Sequence, residues 1–327
     1  MLLKSEVVSS RGLFSCIVPT LNEIDTISNF IISLHSQDYR PIELLVVDGG
    51  STDGTEETVK RHISVLNDAS FSIRFFSEKD FGQLSSPANA RNIGLDNCAG
   101  SFLLFIDSDT RFLDEKTISM AIEQMGMHDY ILVPFKPIID SQLEEKLSKI
   151  LPLDGVFLYR KDFLGEQRFT PTLGFGEDRE FNYRLFGSVK WLKDHPKVSV
   201  HIGRHFPHTK DELKKQNVWY GKTIMRYISS VYSFNKREFI QQVAYIAYNL
   251  FLGTTPVVLV FSVLLSPLLA VIIFLAVILL IAIRFFLRGG RTAGEALFYL
   301  WYSIFSGVYF TKGLLLSIRI KNKYGRN

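Results

Sequence analysis

The sequence predicts an α/β domain with a mostly parallel sheet flanked by helices, followed by membrane helices towards the C-terminus. In the first third of the chain, short apolar runs alternate with helix-like segments, as expected for strands buried on both faces by helices. After Ile240 the chain is apolar and basic, with eight Lys/Arg and one acidic residue, Glu295. The residues before Ile240 hold 29 basic and 32 acidic side chains. The net charge of +4 therefore reflects the tail and does not indicate nucleic-acid binding.

Four strands and three helices are predicted to alternate in the first part of the chain. The strands are LFSCIVPT (13–20), IELLVVDGG (42–50), FSIRFFSE (71–78) and SFLLFID (101–107). Helices are predicted at 21–37, 51–66 and 86–99, the first amphipathic and the second opening on Ser/Thr/Asp caps. Ligands of open α/β sheets bind at the C-terminal ends of the strands. Polar segments follow all four strands and are expected to converge on one crevice: Thr20-Leu21-Asn22-Glu23, Asp48, Glu78-Lys79-Asp80 and Asp107-Ser108-Asp109.

An acidic pair ends the fourth predicted strand. Asp107 and Asp109 directly follow the apolar run 101–106, where charged groups seldom lie without a partner. Mg²⁺ and Mn²⁺ prefer oxygen ligands, and Mg²⁺ commonly combines one or two carboxylates with substrate phosphates. The pair therefore indicates a divalent-metal site that would hold a diphosphate. Solvated acids on a loop are the alternative.

The segment VVDGGSTDGT (46–55) has the composition of a strand-to-helix turn. Its two adjacent glycines allow a tight turn, and the Ser/Thr/Asp residues can cap the next helix. It lacks the Gly-Lys-Ser/Thr of a P-loop and the GxGxxG of a dinucleotide site. A nucleotide bound here would have its phosphates held in another way.

Four segments, taken together, resemble the inverting family 2 glycosyltransferases of the GT-A fold. They are SCIVPTLNE, ELLVVDGGSTDGT, ANARNIGLDNCAG and LLFIDSDT, and the resemblance covers residues 14–114. It implies a Rossmann-like nucleotide-sugar-binding half whose Asp107 and Asp109 form the metal motif. The donor-binding residues that it implies are Pro19, Asn22, Glu23, Asp48, Arg91 and Asp107. Arg91 suits a diphosphate, and a structural ion pair with Asp48 or Asp107 is an equal alternative.

The segment TPTLGFGEDREFNYRLFG (170–187) predicts a helix that starts near an acidic pair. Phe181 and Leu185 share one face of this helix, and Gly187 is its predicted C-cap. The resemblance implies that Asp178 is the general base, with Glu177 orienting the substrate or bracing the loop. Plain capping of the helix N-terminus is the alternative.

The acidic pair at the start of this helix bears on the acceptor. A sugar hydroxyl needs a positioned carboxylate to take its proton during attack. A polyprenyl phosphate is already ionised and needs no strong base. The pair therefore favours a hydroxyl acceptor over a polyprenyl-phosphate acceptor.

Three histidines lie in HIGRHFPHTKDELKKQNVWYGK (201–222). The resemblance implies that one of them completes the metal shell, with His205 preferred over His201 and His208. Surface histidines before a basic helix are the alternative. Processive relatives carry Gln-x-x-Arg-Trp on this helix, whereas Lys215 and Val218 replace the Gln and Arg here. That difference argues against a polymer-extruding synthase.

The part of the chain before the apolar tail is basic. Eight Lys/Arg and two acidic residues lie between residues 204 and 237. Such a cluster suits an anionic cytoplasmic leaflet or a lipid-linked phosphate, although a solvated helix face is also compatible.

The apolar tail predicts two or three membrane spans. As one helix, residues 256–286 would be about 46 Å long, against about 30 Å of hydrocarbon. We therefore expect a hairpin that starts near Gln242 and breaks near Ser266-Pro267, and a further span at 296–318. The predicted domains are a nucleotide-sugar-binding half (1–112), an acceptor-binding half with a basic juxtamembrane helix (113–238) and a transmembrane region (239–327).

These features predict a membrane-anchored, metal-dependent, inverting glycosyltransferase. It would move a sugar from a nucleoside diphosphate, taken as UDP, to a hydroxyl of a lipid-linked or membrane-proximal glycan, using Mg²⁺ or Mn²⁺. The predicted location is the plasma membrane, multi-pass, with a cytoplasmic catalytic domain that contacts membrane lipids. A polyprenyl-phosphate glycosyltransferase, a sugar-nucleotide nucleotidyltransferase and a non-catalytic scaffold are the alternatives.

Overall fold

The computed structural model describes residues 12–82, 85–151, 154–186, 198–232, 235–287 and 292–324, with side chains up to residue 317. The chain forms two compact units. The sheet unit comprises residues 1–138 and 153–205, and the helical unit comprises 139–152 and 206–327. The division predicted from sequence, at residues 112 and 238, stays a prediction.

The secondary structure of both units is numbered in chain order. The strands are β1 (Phe14–Thr20), β2 (Ile42–Asp48), β3 (Phe71–Ser77), β4 (Phe102–Phe105), β5 (Thr110–Phe112), β6 (Tyr130–Pro137), β7 (Gly155–Arg160) and β8 (Ile202–Arg204). The helices are α1 (Ile27–His35), α2 (Thr55–Leu66), α3 (Pro87–Asn97), α4 (Thr117–Met125), α5 (Gln142–Ile150), α6 (Lys161–Leu164), α7 (Glu177–Phe186), α8 (Lys210–Val231), α9 (Lys236–Leu265), α10 (Pro267–Leu287) and α11 (Ala293–Tyr324).

The sheet has the strand order β3-β2-β1-β4-β7-β6-β8-β5. The four strands predicted from sequence are present and are mutually parallel, which confirms the α/β fold class. Strand β7 is antiparallel to β4 and β6, and β5 is antiparallel to β8. Thr20 pairs with Asp48, and Asp48 pairs with Ser77. The C-terminal ends of β1, β2 and β3 therefore lie side by side, as predicted.

Both faces of the sheet are covered by apolar side chains. On β1, Cys16 and Val18 belong to one core cluster, which includes residues of α1, α2 and α4. Ile17 belongs to the other, with residues of α3, α6 and α7. This alternation follows from the opposite directions of successive side chains along a strand. Phe181 lies in the second cluster, and Leu185 packs against it, as predicted for the core face of α7.

Two helices begin later than the sequence predicts. Helix α1 begins at Ile27 rather than Leu21, and α2 begins at Thr55 rather than Ser51. The residues before each helix form loops, and the N-cap of α2 is Gly54 at φ 98°, a left-handed conformation that favours glycine. Of the residues expected to cap α2, Ser51 and Thr52 join the two loops instead, whereas Asp53 accepts the N–H of Thr55 at the start of α2 at 3.0 Å and also that of Ile24. The predicted C-cap of α7, Gly187, lies outside the described residues.

The helical unit confirms the predicted break in the apolar tail. Helix α9 ends at Leu265, Ser266 is extended, and α10 begins at Pro267. Helix α9 begins at Lys236, earlier than the predicted start near Gln242. Among the residues that the structure describes, α9 and α10 are the helices long and apolar enough to cross a membrane, by length and composition. The predicted third span, 296–318, lies within α11.

Glycines allow α11 to pack closely on its neighbours. A Cβ atom added at Gly313 would lie 2.0 Å from the carbonyl oxygen of Val218 in α8. A Cβ added at Gly253 of α9 would lie 2.4 Å from the carbonyl oxygen of Gly307. Any side chain at these glycines would force the helices apart. Helix α11 is therefore held against both α8 and α9 at backbone contact distance.

Candidate active site

Two loops at the C-terminal ends of β1 and β2 are joined by hydrogen bonds. The backbone N–H of Asn22 donates to Ser51 Oγ at 2.8 Å, and Asn22 Oδ1 accepts from the N–H of Thr52 at 2.9 Å. The N–H of Glu23 donates to Thr55 Oγ1 at 2.9 Å. Asn22 adopts φ 58°, the left-handed region that Asn tolerates better than most residues. The predicted donor-binding residues of these loops are therefore held in a fixed arrangement.

The carboxylate of Asp48 organises the β2–α2 loop. Its Oδ2 accepts the N–H groups of Gly50 and Ser51 at 2.8 and 2.9 Å, and its Oδ1 accepts the Ser51 hydroxyl at 2.5 Å. Asp48 is buried, so these bonds satisfy a charge that would otherwise be costly to bury. Pro19 is half-buried one residue before the end of β1. The roles predicted for Asp48 and Pro19 in donor binding stay predictions.

The acidic pair after β4 is bound by two arginines. Asp107 Oδ1 lies 2.7 Å from Arg91 Nη2, and Asp107 Oδ2 lies 3.1 Å from Arg204 Nη2. Asp109 Oδ2 lies 3.4 Å from Arg204 Nε. Arg91 is buried on α3 and also pairs with the buried carboxylate of Glu177. The alternative predicted for Arg91 was a structural ion pair with Asp48 or Asp107, and the structure shows the pair with Asp107. The second carboxylate that pairs with Arg91 is that of Glu177.

The acidic pair has the donor atoms that a divalent cation needs. Asp109 Oδ1 is buried and lacks a hydrogen-bond partner within the part of the chain that the structure describes. An unpaired buried carboxylate oxygen is costly, and a hard cation would satisfy it. Arg91 Nε is likewise buried without a partner among those residues. Asp107 and Asp109 therefore fit a Mg²⁺ or Mn²⁺ ion, and Arg91 retains one N–H for an anionic ligand.

The carboxyl groups around the acidic pair have shifted pKa values. Burial raises the pKa of Glu23 to about 7, and the charges of Asp109 and Asp107 add to the rise. Burial also raises the pKa of Asp109, and the charge of Asp107 adds to it while Arg204 opposes it. For Asp107, burial is outweighed by Arg91 and Arg204, which hold its pKa below the usual value. The negative charges of Asp107 and Asp109 therefore act on the carboxyl group of Glu23.

Helix α7 brings a second pair of acids to the same place. Glu177 is buried, and burial raises its pKa to about 7 despite the charge of Arg91. Asp178 Oδ1 accepts the backbone N–H of Arg179 at 2.7 Å. Asp178 also lines a cleft in the sheet unit together with Arg91, Asp107 and Arg204. Glu177 is thus placed to brace Arg91, whereas Asp178 faces the cleft.

The three histidines occupy different positions. The backbone N–H of His205 donates to the carbonyl of Asp109 at 3.0 Å, and a positive charge on His205 would lower the pKa of Asp109. His201 is half-buried, and burial lowers its pKa, with Lys136 adding to the effect. In the helical unit, His208 Nδ1 lies 3.1 Å from Glu144 Oε2. His205 is therefore beside the acidic pair, and its role as a metal ligand stays a prediction.

Arg204 is the site residue that the sequence analysis missed. It is the last residue of β8, and its pairing with Thr110 of β5 brings it to Asp107 and Asp109. Its position between His201 and His205 was visible in the sequence, but the three-residue strand that carries it gives no hydrophobic pattern. The partnership of Arg91 with Glu177 was also missed, because it joins segments 86 residues apart.

The mostly parallel sheet with flanking helices is a fold of the GT-A type. The model of the family "Glycosyl transferase family 2" matches residues 15–190, more than half of the chain. The chain belongs to this family, which confirms the resemblance drawn from its sequence.

Two curated relatives show how far the sequence similarity extends. The GalNAc(5)-diNAcBac-PP-undecaprenol beta-1,3-glucosyltransferase of Campylobacter jejuni is 27% identical over 203 residues, covering 59% of this chain and 62% of the relative. The poly(ribitol-phosphate) beta-N-acetylglucosaminyltransferase TarS of Staphylococcus aureus is 32% identical over 192 residues, covering 53% of this chain and 32% of TarS. The chain thus spans less than two thirds of the length of either relative.

A solved structure shares the fold over nearly the whole chain. The mannosyltransferase PcManGT of Pyrobaculum calidifontis, in complex with GDP-Man and Mn²⁺, superposes with a TM-score of 0.60 at 15% identity. The match covers 98% of this chain and 89% of PcManGT. At this identity the likeness concerns the fold alone.

Proposed function

We propose that this protein is a membrane-anchored inverting glycosyltransferase. It transfers a sugar from a nucleoside diphosphate to a hydroxyl group of a lipid-linked or membrane-proximal glycan. The observation that carries the proposal is the placement of Asp178 in the same cleft as Asp107, Arg91 and Arg204. One cleft thus presents a candidate base beside groups suited to a metal-bound diphosphate.

The metal and diphosphate would be held by the acidic pair and the two arginines. The cation would be held by Asp107 Oδ2 and Asp109 Oδ2, which contact Arg204. Asp109 Oδ1, which lacks a partner among the described residues, would be a further ligand. When bound, the cation neutralises negative charge on the departing diphosphate. Arg91 would orient the diphosphate through its unpaired Nε, since its other nitrogens are fixed by Asp107 and Glu177. In the proposed donor site, Asn22, Glu23 and Asp48 surround the nucleoside, and we take UDP as the nucleotide.

Asp178 would take the proton of the acceptor hydroxyl. Glu177 is buried and engaged by Arg91, so of the two acids Asp178 is the one that faces the cleft. A base that removes the proton as the hydroxyl attacks the anomeric carbon supports a single displacement, which inverts that carbon. His205 would contribute to the metal site from its position beside Asp109.

The acceptor and the location follow from the helical unit and the relatives. Helices α9 and α10 satisfy the length and composition of membrane spans, and many of their large apolar side chains are exposed, including Leu265 and Leu287. The Campylobacter relative is named for an undecaprenol-linked glycan substrate. These observations support a lipid-linked acceptor, and the basic segment 204–237 supports a catalytic domain on the cytoplasmic side of the plasma membrane.

The test uses Asp178→Asn in the full-length protein. Asn keeps the size of the side chain and an oxygen that can accept the N–H of Arg179, so folding should be unchanged. Loss of the base should lower transfer to a hydroxyl acceptor by about 10²–10⁴-fold while the donor Kd stays nearly constant. The matched control is Asp162→Asn, an exposed acid in the first turn of α6, which should transfer normally.

The same variant separates the acceptor classes. Transfer to a hydroxyl acceptor and to a polyprenyl phosphate should be measured side by side. A polyprenyl-phosphate glycosyltransferase would prefer the phosphate in the wild type and would lose little rate in the variant. Near-normal transfer to a hydroxyl acceptor by Asp178→Asn would end the base assignment.

A further inference from the structure

An aromatic ladder runs along α11 in the helical unit. The ladder consists of Phe298, Trp301, Phe305 and Tyr309, at helical spacings that place them on one face. Consecutive ring centroids lie 5.3, 5.0 and 4.7 Å apart. All four side chains are half-buried, so each ring keeps an accessible part.

Three lysines from two other helices lie over this ladder. Lys146 Nζ of α5 is 5.7 Å from the centroid of Phe298, Lys210 Nζ of α8 is 5.5 Å from that of Trp301, and Lys214 Nζ of α8 is 5.4 Å from that of Tyr309. Within the described part of the chain, none of the three lysines forms an ion pair with a carboxylate. The ladder is thus bordered by positive charges that retain hydrogen-bonding capacity for an anion.

An adjacent side of α11 packs against α8 within the same unit. Ser306 is buried and donates to Asn217 Oδ1 of α8, and Gly313 lies against the backbone of Val218. Helix α11 therefore runs beside a helix whose exposed side chains include Lys215 and Arg226. A membrane-spanning α11 would draw these charges towards hydrocarbon, where charged side chains are costly.

We propose that the aromatic ladder and its three lysines bind anionic phospholipid headgroups, so that α11 lies in the membrane interface instead of spanning the bilayer. Trp and Tyr favour the headgroup level, where the ring is in a partly apolar environment and its polar edge stays hydrated. Lysines beside such rings can bury their stems and direct their ammonium groups to lipid phosphates. Charge complementarity thus identifies the occupant as an anionic lipid surface.

This inference rests on the proposed membrane attachment, and fluorescence of Trp301 tests it. The full-length protein is reconstituted in phosphatidylcholine vesicles with a minor fraction of phosphatidylglycerol, with bromine on the acyl chains of one lipid at a time. The signal of Trp301 is the difference in quenching between the wild type and Trp301→Phe, which keeps an aromatic ring. Brominated phosphatidylglycerol should quench at least about twofold more than the same fraction of brominated phosphatidylcholine, and shallow bromines more than deep ones.

Matched charge variants identify the groups that recruit the lipid. The triple variant K146Q/K210Q/K214Q should lose the preference for phosphatidylglycerol. The control K149Q/K215Q/K222Q removes the same number of charges from the same two helices, at lysines for which no ring contact is described, and should keep the preference. If the first variant does not fold, high salt should weaken the preference in the wild type, because exposed charges are screened.

Three results would overturn the inference. Equal quenching by both lipids would exclude selective binding of anionic headgroups. Stronger quenching by deep bromines would show that α11 spans the bilayer. Absence of quenching would show that protein or water covers the ladder. Flotation of the vesicles separates these failures from failure of the proposed function, because a protein that does not float lacks the membrane attachment itself.

Discussion

Arg204→Gln should increase the affinity of the nucleotide-free protein for Mn²⁺. Arg204 contacts Asp107 Oδ2 at 3.1 Å and Asp109 Oδ2 at 3.4 Å, and these are oxygens that a cation bound by the acidic pair would need. The ion must therefore displace the guanidinium or share the oxygens with it. Removing the guanidinium removes this competition.

The size of the effect follows from the exposure of the two ion pairs. The side chains of Arg204, Asp107 and Asp109 are 34%, 38% and 35% exposed, so each pair contributes about 0.2–1 kcal/mol. The two pairs together give roughly 0.4–2 kcal/mol, which corresponds to a Kd for Mn²⁺ that is about 2–30-fold lower.

The assay is a titration of the detergent-solubilised protein with Mn²⁺, in which free Mn²⁺ is measured by electron paramagnetic resonance. Arg160→Gln is the matched control, because Arg160 lies 5.2 Å from the ring centroid of Phe102, as Arg204 does from that of Phe135, but donates to backbone carbonyls. The control should bind Mn²⁺ like the wild type. Unchanged or weaker Mn²⁺ binding by Arg204→Gln would refute the reasoning.

Three further predictions concern the metal, the pH dependence and the helical unit. Asp109→Ala should abolish metal-dependent donor binding and turnover with the fold intact, and full wild-type activity in EDTA would contradict the metal assignment. Burial raises the pKa of Glu177 from 4.5 to about 7, so the native state binds more protons than the unfolded state between these values. The free energy of unfolding should therefore fall as pH rises through this window, by at most about 1.4 kcal/mol per pH unit from this group. Melting curves of Glu177→Gln should lack that contribution, and an unchanged slope would count against the shift. Gly313→Ala should destabilise the protein, since its Cβ would meet the Val218 carbonyl, whereas Gly294→Ala has open space and should melt normally; equal melting temperatures would contradict this packing.

Continuous apolar strands and clear breaking residues made part of the fold predictable. The run before Asp107 is too apolar for a surface segment, so its burial and the position of the acidic pair followed from the sequence. Ser266-Pro267 was likewise visible as a break, because proline lacks the N–H that a continuing helix requires. These features depend on residues close together in the chain.

Features that depend on contacts between distant segments were not predictable in the same way. The late start of α1 is set by hydrogen bonds from residues 22–24 to Ser51, Asp53 and Thr55, which hold those residues in a loop. Arg204 reaches the site through strand pairing with Thr110. The apolar composition of residues 296–318 suggested a membrane span. The packing of α11 on α8 was not predictable from composition, because it depends on the positions of Ser306 and Gly313 on the helix surface.

The charges around the acidic pair explain why metal and donor should bind together. Four carboxyl groups, those of Asp107, Asp109, Glu177 and Asp178, interact electrostatically with the guanidinium groups of Arg91 or Arg204, and a fifth, that of Glu23, interacts with Asp107 and Asp109. Burial raises the pKa values of Glu23, Asp109 and Glu177, and the charges of neighbouring acids add to each rise. A diphosphate arriving alone would add negative charge to this field and be repelled. A divalent cation held by Asp107 and Asp109 would offset most of this excess negative charge and would compete with Arg204 for the carboxylate oxygens. The guanidinium of Arg204 would then be available to pair with the diphosphate, so each ligand would improve the site for the other.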